Sequence, residues 1–357
     1  MRKSQQRELT IGVDLGDRTS RYCVLDRDGN VLLERSTATT KKGWAQAFAS
    51  MGASRIAVEV GTHSPWVKRL LESWNHQVIV ANARRVKLIT ESTRKDDRLD
   101  ARTLARLARV DPELLSPIRH RSETAQTHLV MIRARAALVE VRTKLVSSMR
   151  GLTKSMGERL ASCDADQISV KCLASLPLPL QEALQPLVSA VESVTVQIHQ
   201  YDNKIAQIAR SEYPETARLR QVSGVGELIA LSYVLTLDDP HRFRRSRDVG
   251  GFLGLRPKRR DSGESRPQLR ITKEGDTYLR KLLVQGAHYI LGWRGPDTDL
   301  RRWGLKLAAR GGKNAKKRAV VAVARKLAVL LHRLWVSGEN YEPLRHSQPA
   351  PSPSVAA

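Results

Sequence analysis

The sequence predicts three parts in order: an α/β unit, a pair of long helical arms, and a basic, mainly helical remainder. Three observations carry this. Short apolar runs alternate with helix-like stretches over residues 1–118. Apolar residues then recur at strict 3-4 spacing within 119–212, and basic helical patterns prevail over 213–341. The last stretch, 342–357, ends in "HSQPAPSPSVAA", has little apolar content to bury and is expected to be a disordered tail.

Strands are expected at 8–14, 20–25 and 31–35, with an Asp-Gly-Asn turn in "LDRDGNVLLER" between the last two. "WAQAFASM" reads as a helix and "RIAVEV" as a buried strand. "SPWVKRLLESW" reads as a helix with Ser64 as its cap and Pro65 at its first position. "HQVIVA" is a fifth strand, followed by a helix from about Ala83. Three meander strands, then alternating helices and strands, is the order of an RNase H (RuvC)-like sheet. An actin-like half has the same order, so topology alone leaves both open.

In the middle, Leu184, Leu187, Val191, Val194, Ile198, Tyr201, Ile205 and Ile208 form a coiled-coil seam. Leu129, Ile132, Ala136, Val139 and Val146 keep a looser version of it, and the Pro-rich "CLASLPLPLQEALQP" between them should break the helix. The arms can pair within one chain as a hairpin or between chains as an oligomer.

The chain has 357 residues and a formal net charge of +25, from 61 Lys and Arg against 36 Asp and Glu. Charge of that size suits a partner rich in phosphates and has no use in a small-molecule kinase. Aromatics make up only 4%, which argues for contacts to duplex backbones over stacked single strands. Cys23, Cys163 and Cys172 lack the spacing of a zinc site or a disulfide framework. "MRKSQQRELT" has no signal-peptide core, and "AVVAVARKLAVLL" is interrupted by Arg325 and Lys326, so a cytoplasmic protein is expected.

Asp14 ends the first strand, Glu59 lies in the fourth, and Asp97 and Asp100 stand at i, i+3 on a helix in "RKDDRLDARTLARLARV". Ala101, Leu104 and Ala108 continue that helix face toward the sheet. Carboxylates on a buried face are costly unless a cation joins them. Four of them converging make a hard-oxygen cage for Mg²⁺ or Mn²⁺, suited to phosphoryl transfer. A glycine-rich second phosphate loop and an adenosine pocket, which an actin-like ATPase needs, are not evident. Asp96 is an alternative ligand one place before Asp97.

Further on, Gly224 and Gly226 in "SGVGELIA" resemble a helix-hairpin-helix turn that aims backbone N–H groups at a phosphate, beside Arg242, Arg244 and Arg245. A turn between two core helices explains the same residues. "RPKRRDSGESRPQLRITKEG" reads as a loop or short hairpin facing a polyanion, with Ser262 before Gly263 among Arg259, Arg260 and Arg266. By composition alone this is an ordinary Ser-Gly turn. Lys313, Lys316 and Lys317 open a helix whose stripe includes Val320, Val323, Leu327, Leu330 and Leu334. Cations at a helix start are disfavoured by its dipole, so an anion is expected there.

"IGVDLG", "AVEVGTHSPWV" and "KDDRLDARTLARL", followed by "LRQVSGVGELIALSYVLTL", "FRRSRDVGGFLGLRPKRRDSGESRPQLRITKEG" and "NAKKRAVVAVARKLAVLLHRLW", resemble the DEDD insertion-sequence transposases. These are relatives of the Piv invertase, the one-ten family of bacterial insertion sequences, whose better-known members are bridge-RNA-guided recombinases. The resemblance implies that Asp14, Glu59, Asp97 and Asp100 hold the metal and that Ser262 is the nucleophile, forming a transient phosphoserine link to DNA. Ser265 is its nearest competitor, and Thr272-Lys273 stands where many relatives have Ser-Lys. It also implies donor and target DNA as substrates, a structured noncoding RNA as guide, and a homo-oligomer (dimer or tetramer) in which serine and acids come from different subunits. A RuvC-like junction endonuclease using water, without serine chemistry, is the alternative.

Overall fold

The computed structural model describes residues 9–82, 97–265, 267 and 269–346; the side chains of Asp97 and Arg98 are not among what it describes. Asp96, Arg266 and the helix expected from Ala83 lie outside the described residues. The chain divides between His120 and Arg121 into two compact units.

The first unit is a five-stranded mixed sheet with helices. Its strands are β1 (Thr10–Asp14), β2 (Thr19–Leu25), β3 (Val31–Ala38), β4 (Arg55–Glu59) and β5 (Gln77–Ala81). They lie in the order β3-β2-β1-β4-β5. The three-strand meander is antiparallel, and β4 and β5 add parallel to β1. This topology is consistent with the RNase H-like expectation. Helices α1 (Lys41–Phe48), α2 (Ser64–Ser73) and α3 (Asp97–Val110) belong to the same unit.

Alternation sorts the strand residues onto two buried faces. Ile11, Val13, Tyr22, Val24, Ile56 and Val58 pack with Trp44 and Phe48 of α1 and Val67 and Leu71 of α2. On the other face Cys23 and Leu25 meet Ala101 and Ala105 of α3, and Ala57, Ile79 and Ala81 meet Leu104 and Ala108. Two local expectations are corrected. β3 runs to Ala38, an edge strand defended by Glu34 and Arg35. The cap of α2 is His63, not Ser64, whose hydroxyl donates to Gly61 O at 2.8 Å.

The second unit begins with α4 (Glu123–Ser155) and α5 (Leu178–Ser211). They pack antiparallel: Ala125, Leu129 and Ile132 share a cluster with Ile205 and Ala209, while Val146 and Met149 share one with Leu184, Val188 and Val191. Between these ends Arg135 makes a bidentate pair with Asp202, at 2.8 and 3.1 Å. The pairing is therefore a hairpin within one chain. Its seam differs from the expected one, with Val188, Thr195 and Ala209 buried where Leu187, Val194 and Ile208 were expected. The Pro-rich break is also shorter than expected. Helix α5 starts at Leu178 and carries Pro186 inside it, where burial of Leu184 and Val188 offsets the lost hydrogen bond.

The rest is mainly helical: α6 (Glu215–Leu219), α7 (Glu227–Leu237), α8 (Val249–Phe252), α9 (Thr277–Leu291), α10 (Asp299–Ala308) and α11 (Ala315–Ser337). Their core includes Tyr233, Leu279, Leu283, Val323, Leu327 and Leu331, and the Tyr233 hydroxyl donates to Ala328 O at 2.6 Å. On α11 the buried stripe runs through Leu331, with the expected Leu330 half-buried beside it. Residues 342–346, assigned above to a disordered tail, are tied down: Asp299 N–H donates to Pro343 O, and His346 N–H to the Asp299 carboxylate. Among the described residues no helix is long and apolar enough to cross a membrane.

Candidate active site and nucleic-acid surface

Asp14 and Glu59 owe their common location to strand periodicity. Ile11 and Val13 point to the α1–α2 face, so Gly12 and Asp14 point to the α3 face. In β4 Ala57 packs under α3, and Glu59, two residues on, follows it onto that face. The parallel register pairs Val13 with Val58, which brings Asp14 and Glu59 side by side at the ends of neighbouring strands.

Helix α3 descends onto this face because Gly12 has no side chain. A Cβ there would stand 2.0 Å from Ala101 O and 2.3 Å from Ala105 N. The helix runs opposite to β1: Arg55, at the start of β4, reaches Ala108 O near the helix end at 3.0 Å. Its first turn, with Asp97 and Asp100, therefore lies at the strand ends that carry Asp14 and Glu59. Acidic residues are favoured at a helix start by the dipole. Burial, and after it the charge of Asp100, pushes the Glu59 pKa up.

The structure thus brings Asp14, Glu59 and Asp100 to one end of one face. Among the described residues no three His, Cys, Asp or Glu side chains close into a group able to hold a metal, and the Asp97 side chain lies outside that set. The donor chemistry still fits a hard divalent cation, because mutual repulsion of partly buried carboxylates is what such an ion relieves.

One constellation at this end was not anticipated. Trp66 Nε1 donates to His63 Nδ1 at 3.1 Å, and His63 Nε2 lies 3.2 Å from Asp17 Oδ1. An indole can only donate, so neutral His63 carries its proton on Nε2, toward Asp17. Asp17 sits three residues after Asp14 and His63 four after Glu59, in "VDLGD" and "VEVGTHSPW". That paired spacing was the available signal.

Ser262 belongs to the second unit. Its segment is a short hairpin, bridged at Pro257–Ile271 and Ser262–Ser265, with Lys258 N–H on Arg270 O at 2.9 Å. Ser262 and Ser265 exchange backbone hydrogen bonds of 3.2 and 2.9 Å across Gly263 and Glu264. Gly263 takes φ +53°, as a glycine at the first central position of a tight hairpin does. Ser262, Ser265, Arg259 and Arg260 are exposed at or near this tip; Arg266 lies outside the described residues. Lys273, exposed with φ +59°, anchors the hairpin base through its N–H on Gly254 O.

The remaining basic residues divide. Arg244, Arg245, Lys313, Lys316 and Lys317 are exposed. Arg242 is half-buried and lies over the rings of Phe243 and Phe252. Gly224, at φ +84°, is a packing glycine, since a Cβ would stand 2.9 Å from Gly286 O of α9. Gly226 caps α7 and has open space around it. Glu227 in the first turn of α7 pairs with Arg210 and Arg220.

Two family models match the chain. Residues 11–156 match the DEDD transposase model of the IS110 type, and residues 216–300 match the model described as transposase, IS116/IS110/IS902 family. The transposase for insertion sequence element IS1111A of Coxiella burnetii is 27% identical, over 95% of this chain and 93% of its own length. A probable family 20 transposase of Pseudomonas aeruginosa is 28% identical over 93% of this chain and 98% of its own. The transposase for insertion sequence element IS1328 of Yersinia enterocolitica is 26% identical over 79% and 83%. With both models matched in order and such relatives aligned along most of its length, the chain belongs to the IS110 family of insertion-sequence transposases.

Proposed function

We propose that this transposase cuts and rejoins DNA through a serine nucleophile assisted by Mg²⁺, guided by a structured noncoding RNA and acting as a homo-oligomer on donor and target DNA. The observation that carries the reading is the convergence of Asp14 and Glu59, on neighbouring strand ends, with Asp100 on the helix laid over Gly12. Asp14, Glu59, Asp97 and Asp100 are the residues that would hold the ion. When bound, it supplies charge stabilisation at the phosphoryl oxygens.

The chain's own residues do the rest. Ser262 Oγ forms the bond to phosphorus while the bond from phosphorus to a deoxyribose oxygen breaks. The serine proton leaves, and the departing oxygen takes one up. Arg259 and Arg260 sit close to the serine in the chain and hold the phosphate diester through charge. The exposed Lys313, Lys316 and Lys317 clamp backbone phosphates. The resemblance set out above supplies the RNA guide, and a net charge of +25 is compatible with either nucleic acid.

The test uses protein expressed with its native flanking DNA, incubated with end-labelled element-junction DNA and Mg²⁺. Label retained on protein and mapped to Ser262, and absent from Asp14→Ala, is the expected result. Asp14→Ala, Glu59→Ala and Ser262→Ala should each abolish recombination while leaving binding within several-fold. Cut DNA without an adduct would make water the nucleophile and replace this mechanism with a RuvC-like endonuclease.

A further inference from the structure

Helix α9 presents an unusual outward stripe for a chain poor in aromatics. Lys281, Gln285, His288 and Tyr289 are exposed on it, and the helix has no acidic residue. The stripe continues past the C-cap Gly292 to Trp293, which is 83% exposed. Arg294 lies over the Trp293 ring, 4.4 Å from guanidinium carbon to centroid. Each of the other five tryptophans is at least half-buried.

The loop holding Trp293 is built. Gly292 N–H donates to His288 O at 2.8 Å and Gly295 N–H to Gly292 O at 3.1 Å. Arg301 Nη1, from α10, reaches Ile290 O at 2.6 Å. A Cβ on Gly295 would stand 2.3 Å from Ile290 O, so the close approach requires glycine. The acidic residue of the loop, Asp297, is paired with Arg302. Such a scaffold fixes an indole in water beside a cation.

We infer that Trp293 is a stacking platform for an unpaired nucleobase, with Arg294 holding the adjoining phosphate. The inference deepens the proposed function and rests on its nucleic-acid binding. Three features select this occupant: the net charge of +25, the absence of acidic residues on α9, and the guanidinium already on the ring. Bases inside a duplex are covered on both faces by their neighbours, so an indole on a loop stacks only on a single-stranded or extruded base. Unpaired DNA and unpaired RNA offer the same chemistry.

The test is fluorescence anisotropy of the full chain with labelled oligothymidylate, oligouridylate and a blunt duplex, comparing wild type, Trp293→Ala and Trp293→Phe. Trp293→Ala should bind the single strands about ten-fold or more weakly, with duplex affinity unchanged, and Trp293→Phe should recover most of the loss. The single strand that wild type holds more tightly identifies the source of the base. Single-strand affinity unchanged in Trp293→Ala overturns the inference, as does an equal loss on duplex. A changed oligomeric state with unchanged binding makes Trp293 a protein contact and also overturns it. Wild type that fails on the duplex defeats the proposed DNA binding itself, a separate result.

Discussion

Gly12 of β1 and Ala101 of α3 are in backbone contact, so close that a Cβ on Gly12 would lie 2.0 Å from the Ala101 carbonyl oxygen. The contact fixes the height of the helix that carries Asp100 over the strand that carries Asp14. Gly12→Ala must lift the helix. It should cost about 1–3 kcal/mol or more in urea unfolding and abolish recombination. Gly52→Ala, with nothing within 4 Å of its Cβ, is the control and should change stability by less than about 0.5 kcal/mol.

A second prediction concerns Glu59. Burial first, then the charge of Asp100, raises its pKa, so without metal the fold carries a penalty for the charged form that the unfolded chain does not. The stability this group contributes is fully present below the ordinary glutamate pKa and is lost as pH rises through the raised value. Glu59→Gln keeps a neutral side chain at every pH. Without metal it should unfold at a higher temperature than wild type at mildly alkaline pH, with the difference vanishing in acid. If the acids hold the ion, Mg²⁺ should raise the wild-type Tm more than that of Glu59→Gln. Differential scanning fluorimetry with and without Mg²⁺ checks both.

The two glycines of the α7 turn should behave oppositely. Gly224→Ala combines a positive φ with a clash against Gly286 O, and should destabilise the second unit by more than about 1 kcal/mol. Gly226→Ala meets open space and should fold normally. If the turn holds a phosphate as the sequence reading allows, Gly226→Ala is the variant that tests it, through the salt dependence of duplex binding.

Much of this arrangement could be read from residues alone, for identifiable reasons. β1 and β4 are short and each ends on a single acid, and period-two alternation with the parallel register puts those acids on one face. The α5 seam departs from the expected one because Leu187–Val188 and Val194–Thr195 each offer two neighbouring residues at one seam position. The partner helix decides, through Arg135 on Asp202 and Arg142 near Thr195. The Asp17–His63–Trp66 group is hard to read because it joins the turn after β1 to the first turn of α2, and only the paired spacing of the two segments points to it. The role proposed for Ser262 rests on family resemblance alone. A Ser-Gly turn has no physical signature of a nucleophile.

All three cysteines are free thiols. Cys163 and Cys172 lie nine residues apart with no recognisable motif, yet their sulfurs are 3.5 Å apart. Diamide, accepting the two electrons and two protons the thiols release, should link them to each other. Burial and the neighbouring thiol raise the Cys163 pKa, so the reaction should be slow at neutral pH and accelerate as pH rises and thiolate forms. Cys23, sealed beneath α3 with its pKa pushed up to about 11, should stay reduced. Peptide mapping of the oxidised protein reads both outcomes.

The antiparallel course of α4 and α5 has a consequence for how such a chain can change. Both helices join the rest of their unit at one end, through Ala125, Leu129 and Ile132 of one and Ile205 and Ala209 of the other. The opposite end closes on itself over Leu173 and Leu176. A helix of 33 residues extends about 50 Å from that root. Removing seven residues from each strand of the hairpin, at matched depth, keeps the seam in phase and leaves the root where it was. The hairpin is in that sense a telescoping boom, whose reach can drift over generations while the machinery at its base is held constant.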